Sequence, residues 1–446
     1  MNLSRCLIFG VVAVVFVLGG MKAWSAWNSR VTPAKIAAGK ILFEHEWAAN
    51  DSLCNGGDGL GPVFNANSCV ACHFQGGVGG ASGNDMNVTA FEVIQAEEEA
   101  PSVTGVVHAS AVSASLQESK NSVRELFPLE SLLSTIVQPE TQGGCESVPQ
   151  PPRVRFILER NDPVVFHQLN SPSLFGVGLV DKISNVSITF QGHKRMASRI
   201  SNEFGGDFSG NRLGRVNLVN GGVGKFGWKG QFDSLEDFVA SACAMEIGLT
   251  NSMHSQPVAK EHRSDKNAKM DMTRKQLNEL VCFVRSLPRP EQVLPTDPHE
   301  LKRVQRGEEV FSEIGCADCH VPDLSGVEGI YSDFHLYNLE PIIAAPSGPS
   351  GYGDGRAEEE FNFNGKNPHP DQWQTPALWG VADSAPYFHD GGSPSLKMAI
   401  LRHHGQGDSS RQGFIGLNKK DQACLVEFLE TLKAPVLESS DENTLE

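Results

Sequence analysis

Four stretches of the chain place apolar residues at helical spacing. Ala38-Gly-Lys-Ile-Leu-Phe43 and Arg306-Gly-Glu-Glu-Val-Phe311 each carry a glycine and a phenylalanine four residues apart, on one helix face. Gln276-Leu-Asn-Glu-Leu-Val-Cys-Phe-Val-Arg-Ser-Leu287 and Gln422-Ala-Cys-Leu-Val-Glu-Phe-Leu-Glu-Thr-Leu432 repeat a second pattern, and Pro288 or Pro435 follows as a stop. A short helix followed at a distance by a longer one therefore occurs twice, which predicts a mainly α-helical chain in two related parts. Ahead of both lies the apolar run Leu7 to Leu18, preceded by Arg5 and followed by small residues at Ala23 and Ser25. That is the layout of an export signal, cleaved or kept as an N-terminal membrane anchor over residues 1–27. No other stretch is long and apolar enough to span a membrane.

Length and charge narrow the class. A chain of 446 residues has room for two or three domains with full cores. A net charge of −16 argues against nucleic-acid backbones and anionic lipid as main partners. Ten cysteines are too sparse for a disulfide scaffold, so their spacing carries the information.

The spacing is informative at two places. Cys69-Val-Ala-Cys72-His73 and Cys316-Ala-Asp-Cys319-His320 both match the pattern by which c-type haem is attached. Two thiols on one turn can add to the two haem vinyl groups, and the adjacent histidine then reaches the iron. No second Cys or His pair stands at zinc spacing. Each motif falls behind one of the Gly/Phe stretches and ahead of one of the longer helices, so the repeat marks two cytochrome c-like domains, each binding one c-type haem. The expected limits are 31–290 for the N-terminal domain and 299–435 for the C-terminal one. A Pro-rich linker at 291–298 joins them, and an acidic tail follows at 436–446. The first domain is the larger, enlarged by an insertion around 85–165 that reads as loop and peripheral helix, with Glu97-Glu-Glu99 and Pro149 to Pro152.

In its order of motifs the chain resembles the di-haem oxidoreductase family, in its peroxidase or thiol-oxidoreductase branch, related to bacterial dihaem cytochrome c peroxidases. The matching passages are Gly59-Leu-Gly-Pro-Val-Phe-Asn65, the first CxxCH, Asn170-Ser-Pro-Ser-Leu-Phe-Gly176, Phe226-Gly-Trp-Lys-Gly230 with Ser234-Leu-Glu236, Glu246-Ile-Gly248, the second CxxCH, and Thr375-Pro-Ala-Leu-Trp-Gly380 running to Ala385-Pro-Tyr-Phe-His-Asp-Gly391. The resemblance implies hydrogen peroxide reduction, Trp228 as an electron bridge between the haems, and Glu246 as the acid/base that moves a proton between the peroxide oxygens. It also implies an interdomain calcium near Thr375, although no EF-hand-like acidic cluster is present and Asp354 to Glu360 reads as a solvated loop. The family's glutamine near the start of the Glu246 helix is Phe238 here, a departure that weighs against efficient peroxide turnover.

Axial ligands follow from the same register. The family's methionine ligand falls on His403, with His404 and Met398 as alternatives, and histidine in place of methionine would lower the potential of the second haem. For the first haem, His108, His167 and His193 are all candidates. His389 reads as a holder of its turn or of a haem propionate. Of the remaining cysteines, Cys243 with Cys282 and Cys54 with Cys145 can pair in an oxidising compartment, and Cys424 reads as buried. A catalytic thiol has no His partner in sequence. The expected partners are an electron-donor cytochrome or cupredoxin and a small-molecule oxidant, in the periplasm or another exported setting. Two rivals stand beside the peroxidase: a non-catalytic dihaem carrier with both irons six-coordinate, and an enzyme that oxidises a protein or small-molecule donor.

Overall fold

The computed structural model describes residues 31–93, 103–118, 121, 155–157, 163–191, 214–257, 270–339 and 372–436. Among these the main helices are α1 (Pro33–Glu44), α2 (Leu235–Ala242), α3 (Arg274–Ser286), α4 (Pro298–Glu313), α5 (Leu396–Leu401), α6 (Asp408–Gly416) and α7 (Lys419–Glu430). Their starts are written in the sequence. Thr32 and Asp297 cap α1 and α4, each with a proline in the first helical turn, where its missing N–H costs nothing. Thr273 and Gln276 close a reciprocal capping box on α3.

The two helix pairs repeat in space. Helix α1 crosses α3 at Gly39, where a Cβ would overlap the Glu279 carbonyl and the Cβ of Phe283. Helix α4 crosses α7 at Gly307, where a Cβ would meet the Cys424 carbonyl and the Cβ of Phe428. One turn on, Phe43 packs on Phe283 with ring centres 5.1 Å apart, and Phe311 on Phe428 at 5.5 Å. Glycine is needed at both crossings because the backbones touch there, leaving a side chain no room. Gly307→Val is therefore expected to cost about 3 kcal/mol of stability through overpacking. Denaturant unfolding checks this, and an unchanged midpoint would show that the crossing tolerates separation.

Two apolar cores surround these crossings. The larger gathers Leu42 and Phe43 of α1, Leu235 and Val239 of α2, and Leu277, Leu280 and Phe283 of α3. Leu324, Ile330, Phe334 and Trp379, from far along the chain, complete it. The smaller packs Val310 and Phe311 of α4 against Leu425 and Phe428 of α7, with Tyr331, Leu396 and Phe414.

The insertion differs from its expected form. Its described residues build an antiparallel sheet, in the order β2-β1-β4-β3, from β1 (Val88–Val93), β2 (Val103–Val107), β3 (Arg155–Ile157) and β4 (Pro163–Leu169). The reading as loop and peripheral helix missed this sheet, although residues 114–118 are helical. Valine and threonine recur in both β1 and β2, and such β-branched residues favour the pleated backbone. Strand β4 delivers the chain directly into Asn170 and the passage after it. Further on come β5 (Glu291–Gln292), β6 (Leu336–Asn338), β7 (Gln372–Gln374) and β8 (Leu432–Lys433), with β6 paired to β7 and β5 to β8. The stretch 291–298 is accordingly tied at its start to the end of the last helix. Among the described residues no helix is long and apolar enough to cross a membrane. The N-terminal segment 1–27, Glu97 to Glu99, Pro149 to Pro152, Cys145, His193, Asp354 to Glu360 and the tail from 437 lie outside the described residues.

Candidate functional site

Each CxxCH motif opens onto a cavity. Cys69, Cys72 and His73 line one of about 810 Å³, together with Glu246, His167 and Leu280. Cys316, Cys319, His320 and His403 line the other, of about 330 Å³, with Phe311, Leu396 and Leu425. Within each motif the histidine N–H donates to the carbonyl of the first cysteine, Cys69 at 3.1 Å and Cys316 at 3.0 Å. That turn gathers both thiols and the imidazole. The helix phenylalanines Phe43 and Phe311 stand against the imidazoles, with ring centres 6.3 and 6.4 Å apart.

The imidazoles are held as ligands are held. His73 Nδ1 bonds the Gly80 carbonyl at 3.1 Å, His320 Nδ1 that of Tyr331 at 2.9 Å, and His403 Nδ1 that of Ala399 at 2.8 Å. A carbonyl partner places the proton on Nδ1 and leaves the lone pair on Nε2. Burial pushes His73 down to about 4, against the opposing pull of the Gly80 and Pro172 carbonyls. Burial, then the neighbouring His320, does the same to His403, also to about 4. Both are neutral imidazoles at physiological pH. The His320 and His403 rings stand 6.4 Å apart centre to centre. A metal–nitrogen bond of about 2 Å on each side, with each ring centre about 1 Å beyond its nitrogen, needs about 6 Å. The residues therefore fit a haem iron between the two rings. His404 and Met398 are not in this cavity's lining, and His404 lies 4.0 Å from the Asp408 carboxylate.

The larger cavity is built differently opposite its histidine. Helix α2 runs on into a wider π-helical turn, Cys243–Ile247, closed by Gly248 in the left-handed region (φ 80°). This turn presents Glu246 to the cavity. Asn65 holds it twice, donating through its backbone N–H to the Glu246 carbonyl at 2.7 Å and through Nδ2 to Oε2 at 2.5 Å. Desolvation lifts the Glu246 pKa above the usual carboxylate range, and the Asn65 bond only partly offsets it. Of the histidines expected as ligands in this part of the chain, His167 lines the cavity, whereas His108 is bonded to the Met245 carbonyl at 2.8 Å and does not line it.

Between the cavities stands a shared wall. Trp228, Trp373, Asn170 and Phe238 face both. Trp228 is fixed by its indole N–H, which donates to the Asn170 carbonyl at 2.8 Å, and by its own carbonyl, which accepts from Gln374 of β7 at 2.8 Å. That second bond sets Trp373 beside it. Trp373 stacks on His389 at 3.5 Å and 9°, so His389 belongs to the wall. Phe238 stacks on Phe226 at 5.8 Å, filling with hydrocarbon a place where an amide would have offered a donor.

Beside His403 lies a buried ion pair. Arg402, 1% exposed, grips Asp390 with both terminal nitrogens at 2.9 and 2.8 Å and donates to Ser393 at 3.1 Å. Burial alone would raise Asp390, but His389 and Arg402 overcome it and hold the carboxyl at about 2. The guanidinium sits 4.4 Å over the Phe388 ring, which in turn packs edge-on against His403 at 5.2 Å.

One expectation needs correction. Cys243 and Cys282 do not pair: both are free and buried, with Cys243 facing the cavity and Cys282 directed at Asn278 on its own helix. Cys54 is also free, and Cys424 is buried. At Thr375 the carbonyl accepts from Ser332 at 2.7 Å and the hydroxyl donates to the His335 carbonyl at 3.3 Å. Among the described residues no three acidic, His or Cys side chains gather to hold a metal.

Asn65, Trp373 and Arg402 had no assigned role in the sequence. Asn65 ends the Gly59–Asn65 passage, the one signal that could have drawn attention to it.

No curated protein sequence matches the chain. Among solved structures it is similar to Kuenenia stuttgartiensis hydrazine synthase, at 17% identity over 60% of this chain and 73% of that one, TM-score 0.32. It is similar to a MauG-like protein associated with microbial copper homeostasis, at 20% identity over 42% and 64%, TM-score 0.25. The diheme peroxidase BthA from Burkholderia thailandensis matches at 13% identity over 90% and 86%, TM-score 0.29. The assignment rests on none of these. A family model described as "Di-haem oxidoreductase, putative peroxidase" matches residues 154–432, more than half of the chain, and the chain belongs to that di-haem oxidoreductase family.

Proposed function

We propose that the protein is an exported dihaem enzyme that takes electrons from a donor protein and reduces hydrogen peroxide to water. The observation that carries this is the pair of cavities, each floored by a CxxCH turn and meeting at a tryptophan wall. Cys69, Cys72 and His73 would hold one c-type haem in the 31–290 domain. Cys316, Cys319 and His320 would hold the other in the 299–435 domain, with His403 as its sixth ligand. Bound there, haem supplies reversible one-electron chemistry at iron. The protein's part is placement and proton handling. Trp228 provides an aromatic step between the cavities. Glu246 takes a proton from one peroxide oxygen and returns it to the other as the O–O bond breaks. Its raised pKa makes that exchange easier near neutral pH than for a solvated carboxylate.

The donor would be a small cytochrome or cupredoxin. With a net charge of −16, the chain suits a partner with a basic face, a preference that a reaction rate indifferent to salt would exclude.

A second reading is a dihaem carrier without turnover. Phe238, hydrocarbon at the cavity wall, and His403, with its ring centre 6.4 Å from that of His320, favour it. One experiment separates the readings: pyridine haemochrome analysis and paramagnetic resonance of the oxidised and half-reduced protein, followed by peroxide. The expected result is two covalent haems per chain, one becoming high-spin and consuming peroxide. Two low-spin haems inert to peroxide in both states would leave the carrier.

A further inference from the structure

The two tryptophans of the shared wall are unequal. Trp228 is half-buried, and its indole N–H donates to the Asn170 carbonyl at 2.8 Å. An indole that loses an electron becomes a strong N–H acid, so a carbonyl already on that N–H eases the loss. Trp373 is 2% exposed, and its indole N–H has no acceptor among the described residues. The Lys229 ammonium sits 4.6 Å from the centre of its ring. A cation over the ring is attracted to the neutral indole and repelled by an oxidised one. Lys229 follows Trp228 directly in sequence, so one strand of backbone places the bridging ring and the cation that acts on its neighbour.

We propose that Lys229 keeps Trp373 reduced and so confines oxidation within the wall to Trp228. This rests on the reading of Trp228 as the step between haems. The stacked Trp373–His389 pair touches both cavities and would otherwise offer a second route, from which charge could stray to His167, edge-on to Trp373 at 5.5 Å. Lys229 also lines the larger cavity, and it acts on Trp373 through electrostatics.

The test uses the haem-loaded protein in air with hexachloroiridate(IV), an outer-sphere oxidant that does not depend on peroxide turnover. Each iridium(IV) takes one electron and becomes iridium(III). The indole then releases its N–H proton, and the neutral radical combines with dioxygen to leave oxygen adducts that peptide mass spectrometry locates. In the unaltered protein, adducts at Trp228 should exceed those at Trp373 by about tenfold or more. Lys229→Gln and Lys229→Met should each raise the Trp373 adducts about tenfold, while Lys229→Arg, which keeps the charge, should not. Equal oxidation of both tryptophans in the unaltered protein, or a Trp373 still spared in both neutral variants, would overturn the proposal. Because burial is the same in all four proteins, simple inaccessibility of Trp373 predicts no response to Lys229. Inter-haem electron transfer unchanged in Trp228→Phe would instead sink the bridge reading alone.

Discussion

Replacing Glu246 with glutamine is expected to lower peroxide turnover by roughly 10²–10⁴-fold while leaving both haem spectra in place. Glutamine keeps the size and can still meet Asn65, whose Nδ2 donates to Glu246 and whose Oδ1 accepts from the Ala109 N–H. What it cannot do is take up and give back a proton. The position of the acid limb adds an independent check. Desolvation is the larger influence on Glu246 and stabilises its neutral form, so the carboxylate needed to take a proton is lost, on acidification, at a higher pH than for a solvated glutamate. Turnover should therefore fall on the acid side of neutrality in the unaltered protein. Asn65→Ala removes a bond that favours the charged form and should move that limb to still higher pH. Glu246→Gln should abolish it. Turnover and acid limb both unchanged in Glu246→Gln would remove this residue from the chemistry, and a loss of the haem spectra would mark it as structural.

How much of this could be read beforehand depended on distance along the chain. The CxxCH turns are complete within five residues, so cofactor chemistry was legible from residue types alone. The helix pairs were legible too, because a glycine and a phenylalanine one turn apart record a close crossing whatever the intervening length. The wall was half legible. Trp228 stood out in a recognisable passage, but Trp373 comes beside it through contacts between distant segments, the Gln374 N–H on the Trp228 carbonyl and the Gln374 side chain on that of Gly224. Asn65 and Arg402 were silent for the same reason: each matters for what it grips, and an asparagine or arginine in a loop is ordinarily solvated. Cys243 and Cys282 misled because both lie on helices of one domain, yet side chains on neighbouring helices can face opposite ways. In the insertion, acidic and proline-rich residues between the strands outweighed short runs of valine and threonine that in fact pair.

At the second haem the largest expected change comes from His403. Its Nδ1 is fixed on the Ala399 carbonyl, its ring is opposed to His320 at the spacing one iron requires, and its low pKa keeps it neutral. His403→Ala should convert that haem from low-spin to high-spin, visible in optical and paramagnetic-resonance spectra, whereas His404→Ala should leave it low-spin. His403→Met should keep six-coordination and raise the midpoint potential on the order of 100 mV, since thioether ligation favours reduced iron. A spectroelectrochemical titration reads that shift. The surroundings argue that the substitution will be tolerated as a ligand change: the Arg402–Asp390 pair, which does not line the cavity, holds the turn at the end of α5, so the backbone at 403 has an anchor other than its own side chain. A second haem that stays low-spin in His403→Ala but turns high-spin in His404→Ala would move the ligand to His404. A raised potential in His403→Met matters beyond the ligand itself, because it changes how readily the second haem accepts electrons from a donor. The histidine then reads as a device for holding that haem strongly reducing towards the first.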